Sequence, residues 1–216
     1  MAMIFPAAIV LLTGLLYFSR QPNIIGLLVT KPVLSLLFVI TGYIQDPLNP
    51  VYAYAVLIGL ILSLIGDVCL IFTSPKKMFL LGLVAFLSAH LAYLVAFSLF
   101  ARFSIQSSLL MAFFIICGFL AFQWLKPTLG SMMLPVIAYI VVITGMVAGA
   151  GAVFFNTGVT VQGRYLILSG AVLFYLSDLF VARNQFVKNA YINRLIGLPV
   201  YYTGQFLLAL SIGHAG

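Results

Sequence analysis

The chain has 216 residues, of which 64% are hydrophobic and only 6% charged. A soluble domain carries roughly a quarter charged residues, so this composition excludes a water-soluble globular protein and points to an integral membrane protein. The net charge of +7 does not call for nucleic acid, because Lys and Arg stand singly or in pairs at the ends of apolar runs, where they set membrane topology.

Mostly apolar runs of about 17–22 residues recur along the whole chain, a length that suits helices rather than the alternating strands of a barrel. The expected fold is all-α and polytopic: one transmembrane domain over 1–216, with eight spans at roughly 2–18, 23–43, 51–72, 78–100, 106–125, 131–153, 164–182 and 195–213. The first span has no basic segment before it and no small-x-small cleavage site, so it reads as a retained helix, not a signal peptide. Connections are short and punctuated by Pro and Gly, as in Ser19-Arg20-Gln21-Pro22, Ser74-Pro75-Lys76-Lys77 and Lys126-Pro127-Thr128-Leu129-Gly130. Cys69 and Cys117 fall inside apolar segments and imply no disulfide framework.

Connections 1, 3, 5 and 7 hold Arg20, Lys76, Lys77, Lys126, Arg183, Lys188 and Arg194, against Arg102 and Arg164 on the opposite side. The positive-inside rule places the odd connections in the cytoplasm and both termini outside it, and short loops without a eukaryotic targeting motif point to a bacterial inner membrane. Gly82-Leu83-Val84-Ala85-Phe86-Leu87-Ser88-Ala89-His90 aligns with Gly197-Leu198-Pro199-Val200-Tyr201-Tyr202-Thr203-Gly204-Gln205, and Asp67 and Asp178 precede these blocks by similar distances. The halves 1–105 and 106–216 then hold four helices each, which makes the repeat parallel.

The chain has three carboxylates and no Glu, and two of the three, Asp67 and Asp178, lie inside membrane-spanning segments. A carboxylate in hydrocarbon costs a few kcal/mol even on lenient insertion scales, so both are candidate functional groups. Lys31, beside the helix-kinking Pro32, Tyr201, Tyr202 and Gln205 in helix 8, and His90 with Tyr93 one turn later add further costly polarity. Counted at 1.5 Å per helical residue, almost all of it falls in the cytoplasmic half, the pattern of one cavity opening toward the inner leaflet. Each residue also has a packing explanation: Lys31 can snorkel, the histidine can be a hydrogen-bonded structural group, and the tyrosines can be interface aromatics. No metal centre is expected, since His90 and His214 are the only histidines. Two close carboxylates in a low-dielectric pocket can divide roles, one protonated and one ionised. Such a pair suits acid-catalysed cleavage of an acetal-like or vinyl ether bond through an oxocarbenium ion.

Eight helices with Lys31-Pro32 in the second, Gly66-Asp67 in the third, His90-x-x-Tyr93 in the fourth, Tyr175 ahead of Asp178 in the seventh and Tyr202-x-x-Gln205 in the eighth resemble the YhhN-like lysoplasmalogenases. The resemblance spans nearly the whole chain and rests on the ordered set, since no single motif is specific. It implies hydrolysis of the vinyl ether bond of lysoplasmalogens to a fatty aldehyde and a glycerophospho-ethanolamine or -choline, with no cofactor. The partners it implies are a lysophospholipid substrate and the bilayer. Asp67 and Asp178 become the acid and the stabilising or water-activating carboxylate, in either order. Lys31, His90, Tyr93, Tyr175, Tyr202 and Gln205 line the substrate pocket, and Lys76, Lys77 and Arg183 form a rim for the head group. The competing readings are a proton- or ion-coupled transporter, a lipid-binding scaffold and an intramembrane aspartyl protease. The crowding of polar groups toward one leaflet argues against the transporter. Leu64 and Ser177, where the protease pattern needs Gly and Tyr, argue against the protease.

Overall fold

In a computed structural model of the chain, residues 3–21, 23–72 and 76–216 are described, apart from the Lys76 side chain. Among these residues all regular structure is helical: α1 (Ile4–Arg20), α2 (Ile24–Tyr43), α3 (Pro50–Cys69), α4 (Lys76–Ser98), α5 (Ile105–Leu125), α6 (Met133–Phe154), α7 (Val161–Ala182) and α8 (Tyr191–Ser211). The helices begin where short polar side chains satisfy free backbone N–H groups. Asn23 accepts from Gly26 N at 2.9 Å and Asn49 from Tyr52 N at 3.1 Å, Ser104 and Ser107 cap reciprocally, and Thr160 accepts from Gly163 N at 3.0 Å. Two short 3₁₀ turns join α5 to α6, and Gly130, which opens the second, has φ +49°, a conformation that glycine tolerates without a Cβ clash.

Six of the eight helices are long and apolar enough to cross a membrane, those built on 24–43, 50–69, 77–98, 105–128, 130–154 and 161–187. The 17-residue α1 is shorter, and α8 is diluted by Asn193, Arg194, Tyr201, Tyr202 and Gln205. Large apolar side chains such as Ile58, Ile65, Val95, Phe113, Phe119 and Val141 are exposed on the outer surface, where lipid tails replace water. The boundaries differ from the sequence expectation chiefly at α8, which starts four residues before the expected 195 and so takes Arg194 into its first turn.

Antiparallel neighbours approach closely where one of them has no side chain. The Tyr93 and Phe86 rings of α4 lie on Gly59 and Gly66 of α3, and Gly170 of α7 meets the Gly204 backbone of α8. Across the two halves, α2 packs on α8 and α6 on α4. A continuous core of aromatic and small residues therefore runs through the bundle, with Phe38, Phe86, Tyr93, Phe174, Tyr201 and Tyr202 at its centre.

Candidate active site

A cavity of about 410 Å³ opens among all eight helices at the end of the bundle that carries connections 1, 3, 5 and 7. The last turns of α1, α3, α5 and α7 and the first turns of α2, α4, α6 and α8 form its wall, mostly as Leu, Ile, Val and Phe. Lys31, Asp67, Tyr139, Tyr175, Asp178 and Tyr201 are its inner polar residues, and Asn184, Gln185, Asn193 and Arg194 its outer ones. That is the end of the bundle at which the sequence reading gathers the polar residues.

Asp67 ends the inner face of α3, where Val56, Gly59, Leu60, Ser63 and Gly66 precede it at helical spacing. Lys31 and Ser35, one turn apart on the buried face of α2, reach it together. Lys31 Nζ sits 3.0 Å from Asp67 Oδ1 and donates to the Asp67 carbonyl at 3.0 Å. Asp67 Oδ2 accepts from Tyr201 at 2.7 Å and from Ser35 Oγ at 2.7 Å. Ser35 Oγ also lies 3.2 Å from the Tyr202 hydroxyl, so with its one proton committed to the carboxylate it accepts from Tyr202. An ammonium and two hydroxyl donors thus saturate Asp67, and the ion pair cancels its charge.

Asp178 stands four residues before the end of α7, its side chain 16% exposed to the cavity against 3% for Asp67. Its Oδ2 accepts from Tyr139 of α6 at 2.6 Å and lies 3.2 Å from His90 Nε2 of α4. Tyr139 and His90 Nε2 are themselves 3.0 Å apart. The imidazole is fully buried against Phe174, with ring centroids 4.5 Å apart, and its Nδ1 has no partner. Its Nε2 is the ring nitrogen that faces both the Asp178 carboxylate and the Tyr139 hydroxyl. Asp178 therefore has no lysine or arginine partner, unlike Asp67.

The two carboxylates share one cavity but no hydrogen-bond partner. Among the described residues each has its own cluster of partners. Of the expected substrate-lining residues, Lys31 and Tyr175 lie in the cavity wall. His90, Tyr93, Tyr202 and Gln205 sit behind it: His90 touches Asp178, Tyr202 touches Ser35, and Tyr93 donates to Gln205 Oε1 at 2.9 Å. At the rim, Lys77 is exposed and outside the wall, and the Lys76 side chain lies outside the described residues. Arg183 donates to Asn193, whose amide in turn donates to the Lys188 carbonyl at 2.7 Å, so it ties the α7–α8 connection together.

Of the residues that touch the two carboxylates, Ser35 and Tyr139 escaped the sequence reading and Tyr201 was named only as costly polarity; of the outer lining, Asn184, Gln185 and Asn193 went unnoticed and Arg194 was read as a topological charge. Ser35 was legible, being a hydroxyl one turn after Lys31 on the same face. Tyr139, one turn after Pro135, looks like any aromatic of an apolar helix.

The YhhN family matches residues 26–212 of the chain. The lysoplasmalogenase TMEM86B of Sus scrofa is 31% identical over 200 residues, which cover 90% of this chain and 78% of that protein. The lysoplasmalogenase TMEM86A of Bos taurus is 29% identical over 198 residues, 89% of this chain and 80% of the relative. The membrane protein YhhN of Escherichia coli is 26% identical over 192 residues, 85% and 86% of the two chains. No solved structure matches.

Proposed function

The chain belongs to the YhhN family, and on that premise we propose that it is a membrane hydrolase that cleaves the vinyl ether bond of lysoplasmalogens to a fatty aldehyde and a glycerophospho-ethanolamine or -choline. The observation that carries this reading is the inequality of the two carboxylates at one apolar cavity. Protonating Asp67 would break its ion pair and leave the Lys31 ammonium buried alone, whereas Asp178 has no lysine or arginine partner and is partly open to the cavity. Asp178 is thus the residue equipped to carry a proton, and Asp67 the one that stays ionised.

In this scheme Asp178 protonates the outer carbon of the vinyl ether, and the ether oxygen shares the resulting charge as an oxocarbenium ion. The Asp67 carboxylate lies in the same cavity and stabilises that cation electrostatically. Water adds to the carbon bearing the oxygen and gives its proton back to Asp178. The hemiacetal then collapses to aldehyde and alcohol, so one water is consumed and the acid is regenerated. Tyr139 and His90 hold the Asp178 carboxyl in place, with Tyr93, Tyr202 and Gln205 packed behind. The apolar wall holds the alkenyl chain, and the basic rim with Lys77 and Arg183 faces the head-group layer.

The same reading takes α1 and α8 as spans, giving eight transmembrane helices, and treats 1–105 and 106–216 as parallel repeats. The reciprocal packing of α2 on α8 and α6 on α4 supports such a relation. It puts the cavity mouth at the cytoplasmic leaflet of a bacterial inner membrane, on the basic side of the chain. The test is aldehyde release by detergent-purified protein from a lysoplasmalogen, with the ester-linked lysophospholipid as control. Release from the vinyl ether lipid alone, lost in Asp178→Asn without loss of the monodisperse elution peak, is the expected result. Absence of aldehyde from well-folded wild-type protein overturns the activity.

A further inference from the structure

At the cavity mouth we infer a phosphate subsite built on Arg194, with Asn184 and Asn193 beside it. The inference rests on reading the cavity as a lysophospholipid site, and adds which residues bind the substrate's anionic group. Arg194 is half-buried in the first turn of α8 and lines the cavity. Its Nη2 makes one long contact, 3.3 Å to Asn189 Oδ1, and its Nε is buried without a partner. Among the described residues no carboxylate lies within ion-pair reach of it. A guanidinium held partly out of water with open donors and no counter-ion is a receptor for an anion, and its planar fork fits two phosphate oxygens.

The neighbours distinguish this arginine from the other cations of the rim. Arg183 is committed to Asn193, which is 2% exposed and bridges to Asn184 at 3.2 Å, so these amides are fixed across the connection from α7 to α8. Both Asn193 amide protons are spent, on Asn184 Oδ1 and the Lys188 carbonyl, so in this patch Arg194 is the cation with open donors. Spacing agrees with a glycerophospholipid. Arg194 lies seven residues before Tyr201, the α8 residue that touches Asp67, which is about 10 Å along the helix axis. The bonds from the vinyl ether oxygen through glycerol to phosphorus extend about 6 Å, and the remainder is within the reach of an arginine side chain. A phosphate seated on Arg194 therefore sets the scissile bond at the level of the two carboxylates. The site selects single-chain lipids that bear phosphate over uncharged alkenyl or acyl glycerols.

Two measurements on detergent-purified full-length protein test this. In the first, the preference in kcat/KM for a lysoplasmalogen over its phosphate-free 1-alkenyl glycerol counterpart is measured in wild type, Arg194→Gln and Arg194→Lys. Arg194→Gln should lower that preference ten- to hundredfold, chiefly through KM for the phospholipid, and Arg194→Lys should restore part of it. Equal losses on both substrates, or an intact preference, would overturn the subsite. In the second, equilibrium binding of ester-linked lysophosphatidylethanolamine is compared with monoacylglycerol, which needs no turnover. Wild type should favour the phospholipid at least tenfold and Arg194→Gln should not. Wild-type protein that releases no aldehyde but shows this binding difference would sink the hydrolase and keep the subsite, while equal affinity for both lipids in wild type would sink the subsite.

Discussion

Asp67 and Asp178 occupy matching places in the bundle and differ in chemistry. Each lies near the end of the third helix of its half, and each is gripped by the second helix of its own half and the fourth of the other: α2 and α8 for Asp67, α6 and α4 for Asp178. Around Asp67 these helices supply a lysine, a serine and a tyrosine; around Asp178 they supply a tyrosine and a histidine. The outcome is one charge-neutral, closed cluster and one without a lysine or arginine, open to the cavity. On the proposed mechanism, the first group holds charge still and the second moves a proton. A cavity that must first donate a proton and then stabilise a cation needs both.

The largest effect should come from the open cluster. Asp178→Asn keeps the size and most hydrogen bonds of the side chain but cannot deliver a proton, so kcat for aldehyde release should fall by about 10²–10⁴. Thermal stability in detergent should change little, because no lysine or arginine loses its partner. Full activity in a folded Asp178→Asn protein would remove the acid from this cluster and turn attention to Asp67.

The closed cluster should fail in the opposite way. Lys31→Met leaves a buried carboxylate without its cation and should cost about 3–5 kcal/mol of stability, seen as loss of the folded peak and a lower unfolding temperature. Lys31→Met combined with Asp67→Asn removes both charges and should recover most of that loss without recovering full activity. A double variant as unstable as Lys31→Met alone would show that the ion pair is not what holds α2 to α3. Between the two extremes, Tyr139→Phe takes one short donor from Asp178, and should lower kcat by roughly ten- to hundredfold, the value of one hydrogen bond to a charged group.

The sequence made the spans legible because apolar runs of membrane length, closed by Asn, Ser, Thr, Pro and Gly, leave little freedom in where helices begin. Both carboxylates were legible for the same reason: so few charges stand in apolar segments that each one is conspicuous. The Lys31–Asp67 pairing was foreseeable, since a buried cation needs an anion. Its counterpart was not. Tyr139 donates to Asp178 across two helices, and nothing in Ala138-Tyr139-Ile140 separates that tyrosine from a lipid-facing one. Arg194 was read as a topological charge because the eighth span was expected to begin at residue 195. In the folded chain Asn184 Oδ1 accepts the Ala190 N–H at 3.2 Å, an interaction six residues back that starts α8 early and carries Arg194 into the cavity wall.

The smallest expected effects come from two adjacent tyrosines, and they resolve how far the closed cluster extends. Tyr201 donates directly to the Asp67 carboxylate at 2.7 Å; Tyr202 reaches it only through Ser35, at 3.2 Å. A hydrogen bond to a charged group contributes about 1.5–3 kcal/mol, whereas a neutral interhelical bond in a membrane bundle averages about 0.6 kcal/mol. Tyr201→Phe should therefore lower the unfolding temperature clearly and Tyr202→Phe barely, although both rings are buried and both pack on Phe38. Because each substitution removes only a hydroxyl, packing is preserved and the difference reports the carboxylate alone. The reverse order would mean that Ser35 is held in place by Tyr202 and that Asp67 depends on that relay more than on its own direct donor. The closed cluster would then reach one residue further along α8 than its contacts with Asp67 suggest.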